Sequence, residues 1–188
     1  LLVAHHKNGH GIHSPFLFEF LNSTIFSNLK LEDEIVFKSK ARISLRRKQI
    51  SKIIFRIIRR LEPINLTEIS NSYFQYSNIL NLSSIAPNIT VNNHIINDID
   101  TDLPFPKANL ILVNIDQIPS NWVTNSGLEF LNDDCVIIVM NIHLTRKNEI
   151  EWKRLINDIR IRQSVDLFYL GIIFTNHSLQ KENFIVRI

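Results

Sequence analysis

Glycine is scarce in this 188-residue chain: Gly9, Gly11, Gly127 and Gly171 are the only four, and none lies between residues 12 and 126. That span therefore has no room for a glycine-rich phosphate loop, because such loops need a backbone that can approach a ligand closely or adopt left-handed angles. Cysteine is limited to Cys135, which excludes an internal disulfide and a Cys-based zinc pattern; inside "DCVIIVM" it reads as a buried, inert thiol. The longest apolar runs, such as "CVIIVM" and "LFYLGIIF", fall far short of the roughly 20 residues that span a bilayer, and no basic stretch followed by an apolar one opens the chain. A cytoplasmic protein without membrane contact is the expectation. Ser/His/Asp nucleophile motifs are absent as well.

Acidic residues are missing from one long stretch. From Lys38 to Leu61, "KSKARISLRRKQISKIIFRIIRRL" holds ten Lys or Arg and no Asp or Glu, although the chain's net charge is only +3. Clustered cations attract phosphates, so a nucleic-acid-binding module using the basic helix 38–60 is one reading. The other is an amphipathic helix. Ile50, Ile53, Ile54, Ile57, Ile58 and Leu61 recur at helical spacing and leave Lys48, Lys52, Arg56, Arg59 and Arg60 on the solvated side.

With 45% hydrophobic residues and no linker or repeat, the chain reads as a single α/β domain over 1–188, with an N-terminal helical region to about residue 62. Candidate strands are "NLTEI" at 65–69, "NITVNN" at 88–93, "ANLILVNI" at 108–115, "DCVIIVMN" at 134–141, "VDLFYLGIIFTN" at 165–176 and "NFIVRI" at 183–188. The runs at 110–115 and 135–140 are apolar without alternation, which implies a parallel sheet covered on both faces. Only "HSLQKE" joins the last two candidates, too short for a parallel crossover, so they are expected to form an antiparallel hairpin. Ser14 before Pro15 predicts a helix through "FLFEFLNSTIF", and Thr145 predicts a second, "RKNEIEWKRLINDIR", with Ile150, Leu155 and Ile159 toward the sheet.

Four segments, "HGIHSPFLFEF", "RRKQISKIIFRIIRRLEP" leading into "NLTEIS", "MNIHLTRKNEIEWKRL" and "VDLFYLGIIFTNHSLQKENFIVRI", together resemble a group of small bacterial class I S-adenosylmethionine-dependent methyltransferases. The resemblance implies a Rossmann-like methyltransferase fold whose last strand is antiparallel. It also implies an acid and two glycines at the first strand-to-helix turn. Here the acid is Glu68, but Ser70 and Phe74 stand at the glycine positions, where a Phe ring would fill space meant for ligand. The acid that grips the cofactor ribose is replaced by Asn92, which offers one carbonyl acceptor and no charge.

The later strand ends depart from the family in the same sense. Asn114 stands where relatives have an acid, with Asp116 two residues on, and Met140 and Asn141 stand where relatives have two. Catechol-type relatives hold a divalent metal there, and hard cations want anionic oxygens, so no metal site is expected. Only nine residues separate Asn93 from Leu103, whereas a helix plus a parallel strand needs roughly 20 or more, so one β-α unit is expected to be shortened or lost.

His5, His6, His10 and His13 cluster before the first helix, but no acids or cysteines complete a ligand set around them. His143, in "NIHLT", is either a general base at a strand's carboxyl end or a ring bonded to a neighbouring turn. The expectation is therefore a non-catalytic methyltransferase-like protein, a pseudoenzyme needing no cofactor and kept for its surface, with a protein partner open. The alternative is an active methyltransferase that binds S-adenosylmethionine in a pocket rebuilt around Glu68, Ser70, Ser72 and Asn92, with His143 or Asp116 near the acceptor.

Overall fold

A computed structural model of the chain describes residues 14–26, 43–70, 75–84, 86–95, 108–118 and 134–187. The unbroken apolar runs become adjacent parallel strands, β3 (Leu110–Asn114) and β4 (Val136–Met140), each with a core on both faces. Leu110, Leu112, Val136, Ile138 and Met140 join one hydrophobic cluster; Ile111, Val113, Ile137 and Val139 join the other. Alternation of side chains along a strand explains the split, and it needs helices on both sides.

The first face is covered by the N-terminal helices. Ser14 accepts the Leu17 N–H at 3.3 Å, and Pro15 opens α1 (Pro15–Phe20), which continues as a π-helical turn over Leu21–Ile25. Phe16 and Phe20 both set edge-on contacts against Phe174, 5.2 and 5.1 Å between ring centroids. α2 (Leu45–Leu61) buries Ile50, Ile53, Ile54, Phe55, Ile57 and Ile58. It stops at Glu62, which adopts the left-handed conformation just before Pro63. The cations of this helix are largely engaged with the fold: Arg56 donates to the Ile25 carbonyl (3.1 Å) and Arg60 pairs with Glu19 (3.2 Å), tying α2 to the first helical segment.

The second face is covered by α4 (Arg146–Asn157), capped by Thr145, whose hydroxyl accepts the Asn148 N–H at 3.2 Å. Its buried stripe is Asn148, Trp152, Leu155 and Ile156. Leu155 faces the sheet as expected, but Ile150 is exposed and Ile159, beyond the helix end, is 83% exposed. The physical reason is the cap: the Asn148 amide bonds the Asn141 carbonyl (2.9 Å) and rotates the helix so that Ile150, about 200° round from Asn148, points outward. Thr145→Ala is expected to cost about 1 kcal/mol, read as a lower urea midpoint at unchanged slope.

Among the described residues the sheet has seven strands in the order β2-β1-β3-β4-β6-β5-β7, with β1 (Asn65–Ser70), β2 (Thr90–Ile95), β5 (Gln163–Asp166), β6 (Leu170–Phe174) and β7 (Glu182–Ile185). β6 alone runs against the others, pairing antiparallel with both β4 and β5. This is an α/β arrangement, mostly parallel and compatible with a Rossmann-like fold. The antiparallel pair at the carboxyl-terminal end has different partners from those expected: the run 165–176 holds the end of β5 and all of β6, which pair with each other, and β7 pairs in parallel with β5. A tight turn breaks the run at Phe168, which takes a left-handed φ of 70° while Asp166 Oδ1 accepts its N–H at 2.8 Å. Among the described residues, no helix is long and apolar enough to cross a membrane. Of the stretch between Asn93 and Leu103 expected to have lost a β-α unit, residues 94 and 95 end β2 and 96–102 lie outside the described residues, as do the early histidines and the first part of the basic run.

Candidate functional site

In sheets of this type ligands sit beyond the carboxyl ends of the parallel strands, at the point where strand order reverses. Here that point lies between β1 and β3, because the chain leaves β1 for β2 on one side and returns to β3 on the other. The candidate residues at the strand ends spread from this point across the carboxyl ends of β3, β4 and β5, and they are not all brought together.

Glu68 is 0% exposed and already has its partners. The Tyr76 N–H donates to Oε1 at 2.6 Å and the Ser77 N–H to Oε2 at 2.8 Å, so the carboxylate caps the short helix α3 (Tyr76–Ile79) from the neighbouring strand. Burial pushes its acid above the usual carboxylate range, and the bonds from Ser77 and Tyr76 pull it part of the way back. Ser77 also donates its hydroxyl to Asn93 Oδ1 at 3.2 Å. Asn93, not Asn92, is the β2 residue registered beside Glu68; Asn92 pairs with Thr67 and points to the opposite face. Asn92, expected in the place of a ribose-binding acid, is thus turned away from Glu68. Ser72 and Phe74 lie outside the described residues.

Ser70 ends β1 on the same face as Glu68, two residues on. It is 2% exposed, and its hydroxyl has no hydrogen-bond partner among the described residues. Burial pushes the Tyr76 phenol up to about 12, with the charges of Arg47 and Arg46 pulling it down and that of Glu68 pushing it up.

Asn114 and Asn141, which end β3 and follow β4, bond to each other: Asn141 Nδ2 donates to Asn114 Oδ1 at 2.5 Å. Asn141 is a junction in which every polar group has a role. Its Oδ1 accepts from Arg46 Nη2 (3.2 Å), its N–H donates to the Tyr169 carbonyl (3.0 Å), and its own carbonyl accepts from Asn148. Its left-handed φ of 64° is one that asparagine tolerates better than most residues. The Arg46 guanidinium also lies over the Tyr169 ring, 4.9 Å from its centroid. Met140 is buried in the α2-side core, and Asp116 is exposed on the 3₁₀ turn after β3.

His143 belongs to a separate cluster along the same edge. Its Nε2 lies 2.6 Å from Asp166 Oδ2 and its Nδ1 3.5 Å from Glu149 Oε1, and its ring stacks on Phe168 at 5.6 Å. Arg187 approaches the Phe168 ring at 5.7 Å. Both sequence readings of His143 meet here: the ring does bond to a neighbouring turn, and a histidine held by a carboxylate is also the geometry of a positioned base.

Arg46, Asp166 and Tyr169 were not among the residues the sequence pointed to. Arg46 was hidden in a basic run, and Asp166 and Tyr169 in an apolar one. The available signal was Asn141, an amide at the end of an apolar strand. Cys135 is buried, and burial raises its thiol to about 12, which leaves it unreactive. A cavity of about 220 Å³ lined by Leu61, Glu62, Pro63, Ile64, Asn109 and Asp134 lies at the strands' amino ends, away from this edge. Among the described residues no group of three or more His, Cys, Asp or Glu side chains is placed to hold a metal. Comparison with known protein families and with curated proteins finds no match.

Proposed function

We propose that this chain is a methyltransferase-like domain that no longer performs S-adenosylmethionine chemistry and is kept for its surface. One observation carries the reading: the acid of the first strand-to-helix turn, Glu68, has each carboxylate oxygen taken by a backbone N–H in a position closed to solvent. The methyltransferase-like part draws on the mostly parallel α/β sheet with one antiparallel strand, β6, although the last strand, β7, runs parallel to β5 and not antiparallel as the resemblance implies. Support for lost chemistry comes from the amide pair Asn114–Asn141, where relatives carry acids, and from Asn92 facing away from Glu68. A calorimetric titration with S-adenosylmethionine is expected to give no binding heat. A micromolar constant would overturn the proposal.

A second reading, an active methyltransferase with a rebuilt pocket, draws on the His143–Asp166 pair. It requires methyl transfer from labelled cofactor to some acceptor in a lysate, and silence across broad acceptor pools would weigh against it.

A further inference from the structure

We propose that the cavity at the amino ends of β1, β3 and β4 binds a primary aliphatic ammonium group, with its stem against Leu61, Ile64 and Val136 and its charge met by the carboxylates of Glu62 and Asp134. The inference is independent of the preceding reading, because this cavity lies at the opposite end of the strands from the edge which that reading concerns.

The strands build the cavity. β3 lies between β1 and β4, and the segments leading into all three supply the lining: Pro63 and Ile64 before β1, Asn109 before β3, and Asp134 before Val136 opens β4. At about 220 Å³ the space is below the roughly 300 Å³ at which drug-sized sites begin, so it suits one small ligand or one long side chain. Leu61 and Val136 join the wall to the α2-side core, whereas Glu62, Ile64 and Asp134 are exposed at the rim. Among the described residues no Lys, Arg or His lines it. The carboxylates come in from two sides, Glu62 from the β1 side and Asp134 from the β4 side. Asp134 Oδ1 accepts from Asn176 Nδ2, which leaves Oδ2 for a ligand, and no hydrogen bond or ion pair joins the Glu62 carboxylate to another described residue. The end of α2 adds to the same sign of charge. Its last carbonyls carry partial negative charge, and Pro63 has no N–H to return to them. Arg60, the nearest cation along that helix, is drawn off to Glu19. A bare metal ion wants about six oxygens and gains nothing from apolar walls. An alkylammonium uses both halves of the site, because its three donors meet the carboxylates while its methylenes cover Leu61, Ile64 and Val136.

The test is an amide NMR titration of the full chain at fixed pH and ionic strength, with two probes that carry the same group from different sources: diaminobutane for a free amine, and Nα-acetyl-lysine methylamide for the lysine side chain of another protein. Binding is expected in roughly the millimolar range, since both carboxylates are exposed, with shifts centred on the amides of Ile64, Asn109 and Val136. Glu62→Gln and Asp134→Asn, both at exposed positions, should each weaken it about threefold to tenfold. Ile64→Ser, also exposed, should weaken it about threefold by removing apolar wall, a loss that a purely electrostatic attraction of cations would not show. Glu151→Gln on α4, outside the cavity, should leave binding unchanged. Binding of either probe with this pattern supports the proposal, and the tighter of the two names the source. The proposal is overturned if neither probe shifts these amides, if Glu62→Gln, Asp134→Asn and Ile64→Ser all bind as the wild type does, if Glu151→Gln weakens binding as much as Glu62→Gln, or if ammonium chloride shifts the same amides at the same concentrations.

Discussion

Glu68→Ala is expected to destabilise the fold by about 2–4 kcal/mol, because it leaves the Tyr76 and Ser77 N–H groups without their acceptor in a buried position, each at the usual cost of an unmade hydrogen bond. Glu68→Gln should cost less than the alanine change. Its carbonyl can still accept one N–H, while its amide presents a donor to the other. Urea midpoints at neutral pH are the measurement, and an alanine variant as stable as the wild type would show that water replaces the carboxylate and that the cap is dispensable.

The same residue sets a pH dependence with a definite sign. Burial raises the Glu68 acid in the folded chain above its unfolded value, so the folded state holds this proton more tightly. By linkage, the Glu68 contribution to stability rises as pH falls from above the folded value to the ordinary carboxylate value, and is constant below it. Other carboxylates with the opposite shift, such as Asp158 beside Arg160, lose stability as pH falls. The Glu68 part is therefore isolated by difference: wild type minus Glu68→Gln should gain stability on acidification through that window. A difference that stays flat would mean the two N–H bonds cancel the burial.

How much of this could be read from the sequence varies from residue to residue. Local chemistry was legible wherever the signal is short-range. Ser14 with Pro15 and Thr145 mark helix starts because capping needs only the next three residues. The two-faced apolar runs announced a covered parallel sheet, since alternation fails only when both faces are buried. The turn at Phe168 was not legible. Asp166, Leu167, Phe168 and Tyr169 contain no Gly, Pro or Asn, and the left-handed residue is one that rarely adopts that conformation, held there by Asp166, His143 and Tyr169 around it. Glu68 and Asn141 illustrate a further limit. Comparison with a family reads each as a residue kept or lost for ligand chemistry, whereas the structure gives each a full set of backbone and side-chain partners. Which reading applies depends on contacts with residues far along the chain, and those do not appear in local pattern.

Gly171→Ala is expected to be the most damaging small substitution in the sheet. Gly171 sits in β6, registered between Val139 and Asp166, and a methyl group on it would overlap Cη2, Cζ3 and Cζ2 of the Trp152 indole. Here glycine is required for space: α4 reaches the sheet through that indole, and any Cβ pushes the helix away. Overpacking of this kind costs about 1–3 kcal/mol, and here it falls at the upper end, because the obstacle is a rigid, buried aromatic ring with little room to rotate. Trp152→Phe alone should also destabilise, by removing ring atoms from the core. Combined with Gly171→Ala, however, the smaller ring makes room for the methyl, so the double variant should be more stable than the two single costs added together predict, by about 1 kcal/mol or more. Strict additivity in a double-mutant cycle would mean that α4 is positioned by Leu155 and the Asn148–Asn141 bond rather than by the Trp152–Gly171 contact.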